Sequence, residues 1–372
     1  MSSPVEQLGS GARIGILTSG GDAPGMNAAL RAAVRVAVKL GFEMVGIRRG
    51  YSGLLDGDSA PLSLAEVSGI VRIGGTILGT SRCPEFRTEE GQERAARQVS
   101  ILGLEGLIVI GGNGSLAGAH RLASFRTASG APLRVIGIPA SIDNDIGCTS
   151  LSIGVDTALN TIVEACDRIS DTATAHQRIF VVEVMGRDCG YLAMTAAIAA
   201  GAHGLLYPER GRNEEELLAS VEAIVREVYG RPGGSHRALI VKSEGVKLPA
   251  DRLRRKLEER IARDFPAAEV RVTVLGHMVR GGSPSAQDRL IATRLSHVAL
   301  RSVVEGRSDE MVAWRPPALG PAPSIISPID PSVALFPLDA VLEETRHLKD
   351  GTSELSRWRV KVLSEIEGIL AF

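Results

Sequence analysis

A chain of 372 residues, 44% hydrophobic and with 42 glycines, carries core material for two domains rather than one. A formal net charge of −1 argues against a nucleic-acid or membrane surface as the principal partner and leaves small anionic ligands open. The four cysteines, Cys83, Cys148, Cys166 and Cys189, show no CxxC pair or zinc-finger spacing, and no run of about 18 apolar residues occurs, so a reduced, cytoplasmic protein is expected, with no disulfide framework and no membrane span.

Residues 1–12 lack the basic start and apolar stretch of a signal peptide and are expected to be disordered. From Ile14 onward, short apolar runs alternate with longer amphipathic segments, the pattern of βαβ units in a parallel sheet. Arg13–Leu17 reads as a strand, Asn27–Leu40 as a helix and Glu43–Ile47 as a strand. Strands follow at Gly106–Ile110 and Arg134–Ile138, with helices around Leu116–Ser124 and Asp156–Asp171. Next come strands at Ile179–Val184, Gly204–Tyr207 and Ala238–Val241, and helices near Glu214–Tyr229 and Asp251–Asp264. Two α/β halves account for this order. Arg315–Pro337 holds seven of the 18 prolines and reads as extended or looped, a candidate crossover, before a terminal helix over Ser353–Leu370.

The densest chemistry lies in Ser141-Ile142-Asp143-Asn144-Asp145, directly after the apolar run at Arg134–Ile138. Open α/β sheets place their sites at such strand ends. Two carboxylates two residues apart suit removal of a proton from an alcohol and the holding of a hydrated Mg²⁺, although a lone SxDxD is more often an ordinary polar turn. Thr18–Asn27 and Gly111-Gly112-Asn113-Gly114-Ser115 are glycine-rich links from strand to helix, each a phosphate cradle or a tight turn. Neither is GxGxxG or GxxxxGK[ST], and the absence of any Gly-Lys dipeptide excludes a Walker-type lysine. Between them, Arg82 and Arg87 offer planar forks for phosphate, or a surface ion-pairing loop, and Phe86 is either core or a neighbour to a base. Four later segments, His176–Arg178, Met185–Arg187, Ser243–Gly245 and Leu275–Gly282, flank strands and supply the cations and the carboxylate that a sugar phosphate needs. His203 and His347 read as structural or solvent-facing.

These segments together, TSGGDAPGMNAALRAAVR, GTSRCPEFR, GGNGS, PASIDNDI, AHQRIFVVEVMGRDCG and LGHMVRGGSP in this order, resemble the bacterial 6-phosphofructokinase family over about Arg13–Arg301. The resemblance implies an α/β fold of two Rossmann-like doubly wound domains with the active site in the cleft between them, assembled as a homotetramer. It implies a nucleotide-binding domain of 13–154 plus about 279–329 and a sugar-phosphate-binding domain of 155–278 plus about 330–372. It further implies phosphorylation of fructose 6-phosphate at its 1-hydroxyl by Mg·ATP. Asp143 would be the base, Ser141 a contact to the transferred phosphoryl, and Arg82 and Arg187 the cations that neutralise it. Gly21, Tyr51, Arg82, Cys83, Phe86, Arg87, Gly112, Asn113, Gly114 and Ser115 would form the nucleotide site, with Asn113 and Asp145 toward Mg²⁺. Asp145, Met185, Gly186, Glu244, His277 and Arg280 would face the sugar, while Arg178 and Arg271 would reach the 6-phosphate from a neighbouring subunit.

Three departures from the family pattern bear on this reading. Asn113 stands where ATP users usually carry an aspartate. Ala140 stands where they commonly carry glycine and pyrophosphate users lysine, while Gly114 matches the ATP users. Of the family's charged effector pocket, Arg31 and Arg35 are retained with Arg237 nearby, but Leu64, Ser170, His203, Gly233 and Ser235 replace charged residues, so coupling to ADP or phosphoenolpyruvate is expected to be weak. The rival readings are a kinase using pyrophosphate or another ketose phosphate, and a catalytically weak regulatory paralogue.

Overall fold

The computed structural model describes residues 8–230, 236–315 and 329–370. In chain order the elements are Arg13–Ser19 (β1), Met26–Leu40 (α1), Glu43–Ile47 (β2), Tyr51–Asp56 (α2), Ser59–Leu62 (β3), Glu89–Ile101 (α3), Leu104–Gly111 (β4), Asn113–Leu122 (α4) and Arg134–Pro139 (β5). Then come Val155–His176 (α5), Ile179–Val184 (β6), Tyr191–Ala199 (α6), Gly204–Leu206 (β7), Glu214–Gly230 (α7), Ala238–Ser243 (β8), Ala250–Ile261 (α8) and Val270–Val274 (β9). Ala286–Val304 (α9), Glu310–Trp314 (β10), Val333–Pro337 (β11), Leu338–Asp350 (α10) and Glu354–Leu370 (α11) complete the order. The chain divides into two compact units. One comprises the residues up to Ile142, Ile146–Thr157 and Arg280–Arg346; the other comprises Asp143–Asp145, Ala158–Val279 and His347 onward.

The first unit is built on a seven-stranded sheet of order β11-β10-β5-β4-β1-β2-β3. Its inner strands pair in parallel, and only the edge pairs β2–β3 and β10–β11 are antiparallel. Strands covered on both faces must be apolar at every position rather than at alternate ones, and Ile14, Ile16, Leu17 and Leu107–Ile110 are all fully buried. α1 packs along α9 and buries Ala28, Ala29 and Ala33. The chain leaves β1 for β2 on one side and returns to β4 on the other, so the carboxyl ends of β1 and β4 flank the point where winding reverses. That crevice is the expected ligand position in such sheets.

The second unit holds four parallel strands of order β7-β8-β6-β9. α7 and α8 cover one face with Leu217, Val221, Leu253 and Leu257, all packed in one core cluster with Ile179, Val181 and Ile240. The α/β class with two mostly parallel sheets thus follows from the alternating apolar runs. Among the described residues no helix is long and apolar enough to cross a membrane.

Three expectations change. Residues 1–7 lie outside the described residues, but 8–12 are ordered. Leu8 donates its N–H to the Val304 carbonyl, Gly11 to Gly41, and Ala12 is buried. Residues 330–346 belong with the first unit, because β11 completes the first sheet against β10. Of the proline-rich stretch, 316–328 lie outside the described residues, whereas 333–337 form β11; Pro337 sits at its last position, where a proline is tolerated on an edge strand.

Candidate active site

The first unit's chemistry gathers at the carboxyl ends of β2, β1, β4 and β5, which are neighbours in the sheet. Ser115, at the start of α4, donates its hydroxyl to the Ser19 carbonyl at 2.8 Å and so ties the loop after β4 to the end of β1. The Tyr51 hydroxyl, from α2, donates to the Ser115 carbonyl at 2.6 Å, and its ring stacks on Phe86 with centroids 4.4 Å apart and planes 15° off parallel. Both rings are 5% exposed, and burial raises the phenol far above its ordinary value. Phe86 is therefore core and cavity wall at once, a partner of Tyr51.

The 76–82 segment that delivers Arg82 is stitched down by hydroxyls. Thr18 donates to the Gly79 carbonyl at 2.9 Å, Thr80 to Gly20 at 2.8 Å, and Ser81 to Arg49 at 2.8 Å. Asn27 accepts the Ile77 N–H at 2.8 Å and donates to Ile73 and Gly74. What these hold up is a cavity of about 500 Å³, the scale of a drug-sized or nucleotide-sized ligand. Tyr51, Arg82, Cys83, Phe86, Arg87, Gly114 and Ser115 line it, so seven of the residues expected for a nucleotide converge. Gln92 from α3 and Ala117, Gly118 and Arg121 from α4 also line it, and none was singled out from sequence. A readable signal existed for α4. Gly114, Ala117, Gly118 and Arg121 fall at helical spacing on one face, three of them too small to fill space. Arg82, Arg87 and Arg121 are all exposed toward solvent, giving a cationic rim.

Gly112 caps α4 without a side-chain bond, and Asn113 is the first helical residue, so the helix's amino end with its N–H donors opens at the GGNGS loop. Gly21 is placed differently. A Cβ there would stand 2.7 Å from Nη1 of Arg280, which donates to the Asp22 carbonyl at 3.2 Å. Arg280, expected toward a sugar, is held in the first unit against the loop after β1.

After β5, Ala140 donates to the Gly111 carbonyl at 2.9 Å, and the Ser141 carbonyl accepts the Ser152 hydroxyl at 2.5 Å. A Cβ on Gly112 would lie 3.8 Å from the Ser141 Cβ, which brings the second and third loops side by side. Asp143 and Asp145 follow on either side of Asn144, buried and left-handed at φ 50°, a conformation asparagine tolerates. The far end of this loop is clamped by Asp288, on α9. Its fully buried carboxylate accepts the Gly154 N–H, the Thr157 N–H and the Thr157 hydroxyl at 2.8, 2.8 and 2.6 Å. Burial nevertheless pushes the Asp288 carboxyl above its usual range.

In the second unit, β6 lies between β8 and β9, so the loops after all three strands are adjacent at the carboxyl edge. They carry Met185, Gly186, Arg187, Glu244 and His277. Gly186, at φ 123°, donates to Glu244 Oε1 at 3.3 Å, and its carbonyl accepts the Ser243 hydroxyl at 2.5 Å. Arg187 extends into solvent and pairs with Asp188, which also meets Lys349. Behind the loop, Gly190 donates to Glu209 at 2.7 Å, and burial pushes the Cys189 thiol up to about 12.

Arg178 and Arg271 stand at the other edge. Arg178 precedes β6 and Arg271 is the second residue of β9, both at the strands' amino ends. Six strand residues at about 3.3 Å each put the two edges roughly 20 Å apart. His203 exchanges backbone and ring bonds with Leu239, as expected of a structural histidine. Arg35 and Leu64 line a shallower cavity of about 330 Å³ with Val36, Val38 and Lys39, while Gly233 and Ser235 lie outside the described residues.

A family profile described as phosphofructokinase matches residues 13–303. Similar curated proteins include the ATP-dependent 6-phosphofructokinase of Thermotoga neapolitana, 48% identical over 301 residues covering 81% of this chain and 89% of that protein. That of Natranaerobius thermophilus is 47% identical over 303 residues, covering 82% and 89%. Among solved structures, Pichia pastoris phosphofructokinase in the T-state superposes with a TM-score of 0.83 at 30% identity, covering 99% of this chain and 43% of that one. The Saccharomyces cerevisiae phosphofructokinase gives 0.81 at 31%, covering 95% and 48%, so this chain spans a little under half of each fungal chain. A pyrophosphate-dependent phosphofructokinase from Marinobacter aquaeolei, at a TM-score of 0.76 and 20% identity, shares the fold.

Proposed function

The chain belongs to the phosphofructokinase family, and on that premise we propose that it transfers the γ-phosphoryl group of ATP to the 1-hydroxyl of fructose 6-phosphate, giving fructose 1,6-bisphosphate in the cytoplasm. The observation that carries this reading is the arginine-rimmed cavity at the β1–β4 crevice, next in the sheet to the strand that leads into Ser141–Asp145.

Asp143 takes the proton of the 1-hydroxyl as that oxygen forms its bond to phosphorus, and the bond from phosphorus to the bridging oxygen of ADP breaks. Ser141 donates to the moving phosphoryl. Arg82 and Arg187 neutralise charge on it, and such positioning and electrostatics supply most of the catalysis in phosphoryl transfer. The α4 amino end, with Gly112, Asn113 and Gly114, cradles phosphates, while the Tyr51–Phe86 stack, Cys83 and Arg87 wall the rest of the nucleotide. Met185, Gly186, Glu244, His277 and Arg280 serve the sugar.

Mg²⁺ fits this donor set. Among the described residues no group of three or more His, Cys, Asp or Glu side chains converges into a cage, but magnesium carried by a nucleotide needs only one or two protein oxygens beside its waters. The Asp145 carboxylate and the Asn113 amide oxygen would hold it, and the ion would neutralise charge on the β- and γ-phosphates. Asn113 in place of the family's usual aspartate supplies an oxygen without a formal charge, which implies weaker metal affinity.

Arg178 and Arg271 serve the 6-phosphate of a neighbouring copy, within a homotetramer. The support is the strand geometry: a ligand at the carboxyl edge of β6, β8 and β9 lies about 20 Å from the amino edge of the same sheet. Coupled assays with ATP and with pyrophosphate test the donor, and Asp143→Ala tests the base, with kcat expected to fall roughly 10²- to 10⁴-fold. Faster turnover with pyrophosphate, or near-wild-type kcat in the folded variant, would reject the reading.

A further inference from the structure

Arg178 and Arg271 are not idle at the amino edge of the second sheet, for both are bound to one carboxylate. Glu269 Oε2 accepts from Arg178 Nε, and Glu269 Oε1 accepts from Arg271 Nη2. The backbone dictates the grouping. Ile179 donates its N–H to the Glu269 carbonyl at 3.0 Å, and Ile179 and Val270 are register partners, which sets Arg178 beside Glu269 across the β6–β9 boundary. Arg271, two residues beyond Glu269, projects from the same face as that carboxylate. The side chains are 26%, 38% and 50% exposed for Arg178, Glu269 and Arg271, so the trio is open to a ligand.

We propose that Glu269 is a built-in rival of the substrate's phosphate group at the Arg178–Arg271 pair, and that it holds the enzyme's affinity for the sugar phosphate below what two arginines alone would give. The proposal rests on the reading of these arginines as the pair that takes the 6-phosphate. A phosphate dianion seeks the same guanidinium N–H groups that the carboxylate now occupies. It also meets a cluster of net charge +1, two guanidinium groups and one carboxylate, where the arginines alone would present +2. For the dianion to bind, Glu269 must release at least one fork or share it beside a like charge. Either route costs binding free energy. If Glu269 only aimed the forks, its amide counterpart would aim them less well and binding would weaken. The two roles therefore differ in sign.

Glu269→Gln keeps the shape and one acceptor oxygen while removing the charge. Expected is a half-saturation for fructose 6-phosphate lowered about three- to tenfold, with kcat and the half-saturation for ATP unchanged. The shift in thermal midpoint induced by fructose 6-phosphate, read without turnover, should grow in the same variant. Arg178→Ala and Arg271→Ala, tested alongside, should each raise the half-saturation. If the arginine variants saturate like wild type, the phosphate reading of the pair fails and the proposal falls with it. If they are impaired while Glu269→Gln binds fructose 6-phosphate no more tightly than wild type, the rival role alone is overturned and Glu269 is an orienting partner.

Discussion

Gly118 on α4 faces the ring of Tyr51 so closely that a Cβ on Gly118 would stand 2.5 Å from both Cζ and the hydroxyl oxygen. The ring has no room to retreat, since Ser115 takes its hydroxyl and Phe86 covers its face. Gly118→Ala should therefore destabilise the protein. Overpacking costs about 1–3 kcal/mol, against roughly 1 kcal/mol gained from replacing glycine inside a helix. Because Tyr51 and Gly118 line the cavity, the half-saturation for ATP should rise as well. A raised thermal midpoint with unchanged ATP kinetics would show that the ring yields freely.

Asn113 opens α4 and is the residue proposed to face the metal. Asn113→Asp adds a formal charge next to the cation, so half-saturation for Mg·ATP should fall. Overlapping magnesium titrations of the two proteins would remove Asn113 from the metal's surroundings.

Lys242 is 1% exposed and donates to Glu183 at 2.7 Å across the β6–β8 register. Glu183→Gln strips a buried ammonium of its counter-charge and should cost about 3–5 kcal/mol in a denaturant titration. Lys242→Met, which removes the buried charge and keeps the volume, should be close to neutral or stabilising. Equal losses in the two variants would contradict this account of the pair.

Burial pushes the thiols of Cys148 and Cys166 up to about 11 and that of Cys189 to about 12, so near neutral pH they stay protonated and poorly nucleophilic. Cys83 instead lines the cavity. Alkylation of the folded protein near pH 7.5 should label Cys83 first, and saturating ATP should slow that labelling several-fold. Mass spectrometry of digested protein reads both outcomes, and labelling of Cys83 indifferent to ATP would argue against a nucleotide in this cavity.

The strands that carry the site were legible because β1, β4, β5 and β6 are covered on both faces and read as largely apolar runs, broken in β6 only by Glu183. β9 was not, as four of the five residues of its sequence VRVTV are half- or fully exposed and leave no buried run. α6 is apolar on every side and so lacks the period that marks a surface helix. Within the candidate site, Cys83, Phe86 and Ser115 sit in the glycine- and arginine-bearing motifs, whereas Tyr51 was expected only from the family resemblance. Gln92 belongs to the cavity only because α3 turns it there, and Asp288 acts on Thr157 from 131 positions away. Pairings at such separations depend on the fold and leave no mark in local spacing.

The Asp288 clamp and the β10–β5 pairing together impose an order on the protein's birth. The first unit is interrupted after Thr157 and resumes at Arg280, and it is complete only at Arg346, which is 346 − 157 = 189 residues later. At elongation speeds of roughly 5–20 residues per second, the first unit stays incomplete for about 10–40 s, and for most of that time Ser141 and its loop lack α9 and β10. During that interval the second unit emerges whole, apart from its C-terminal helix. Ribosome-bound chains should accordingly contain a protease-resistant second unit before the first becomes resistant, and the loop bearing Asp143 should be among the last parts of the molecule to acquire its final shape.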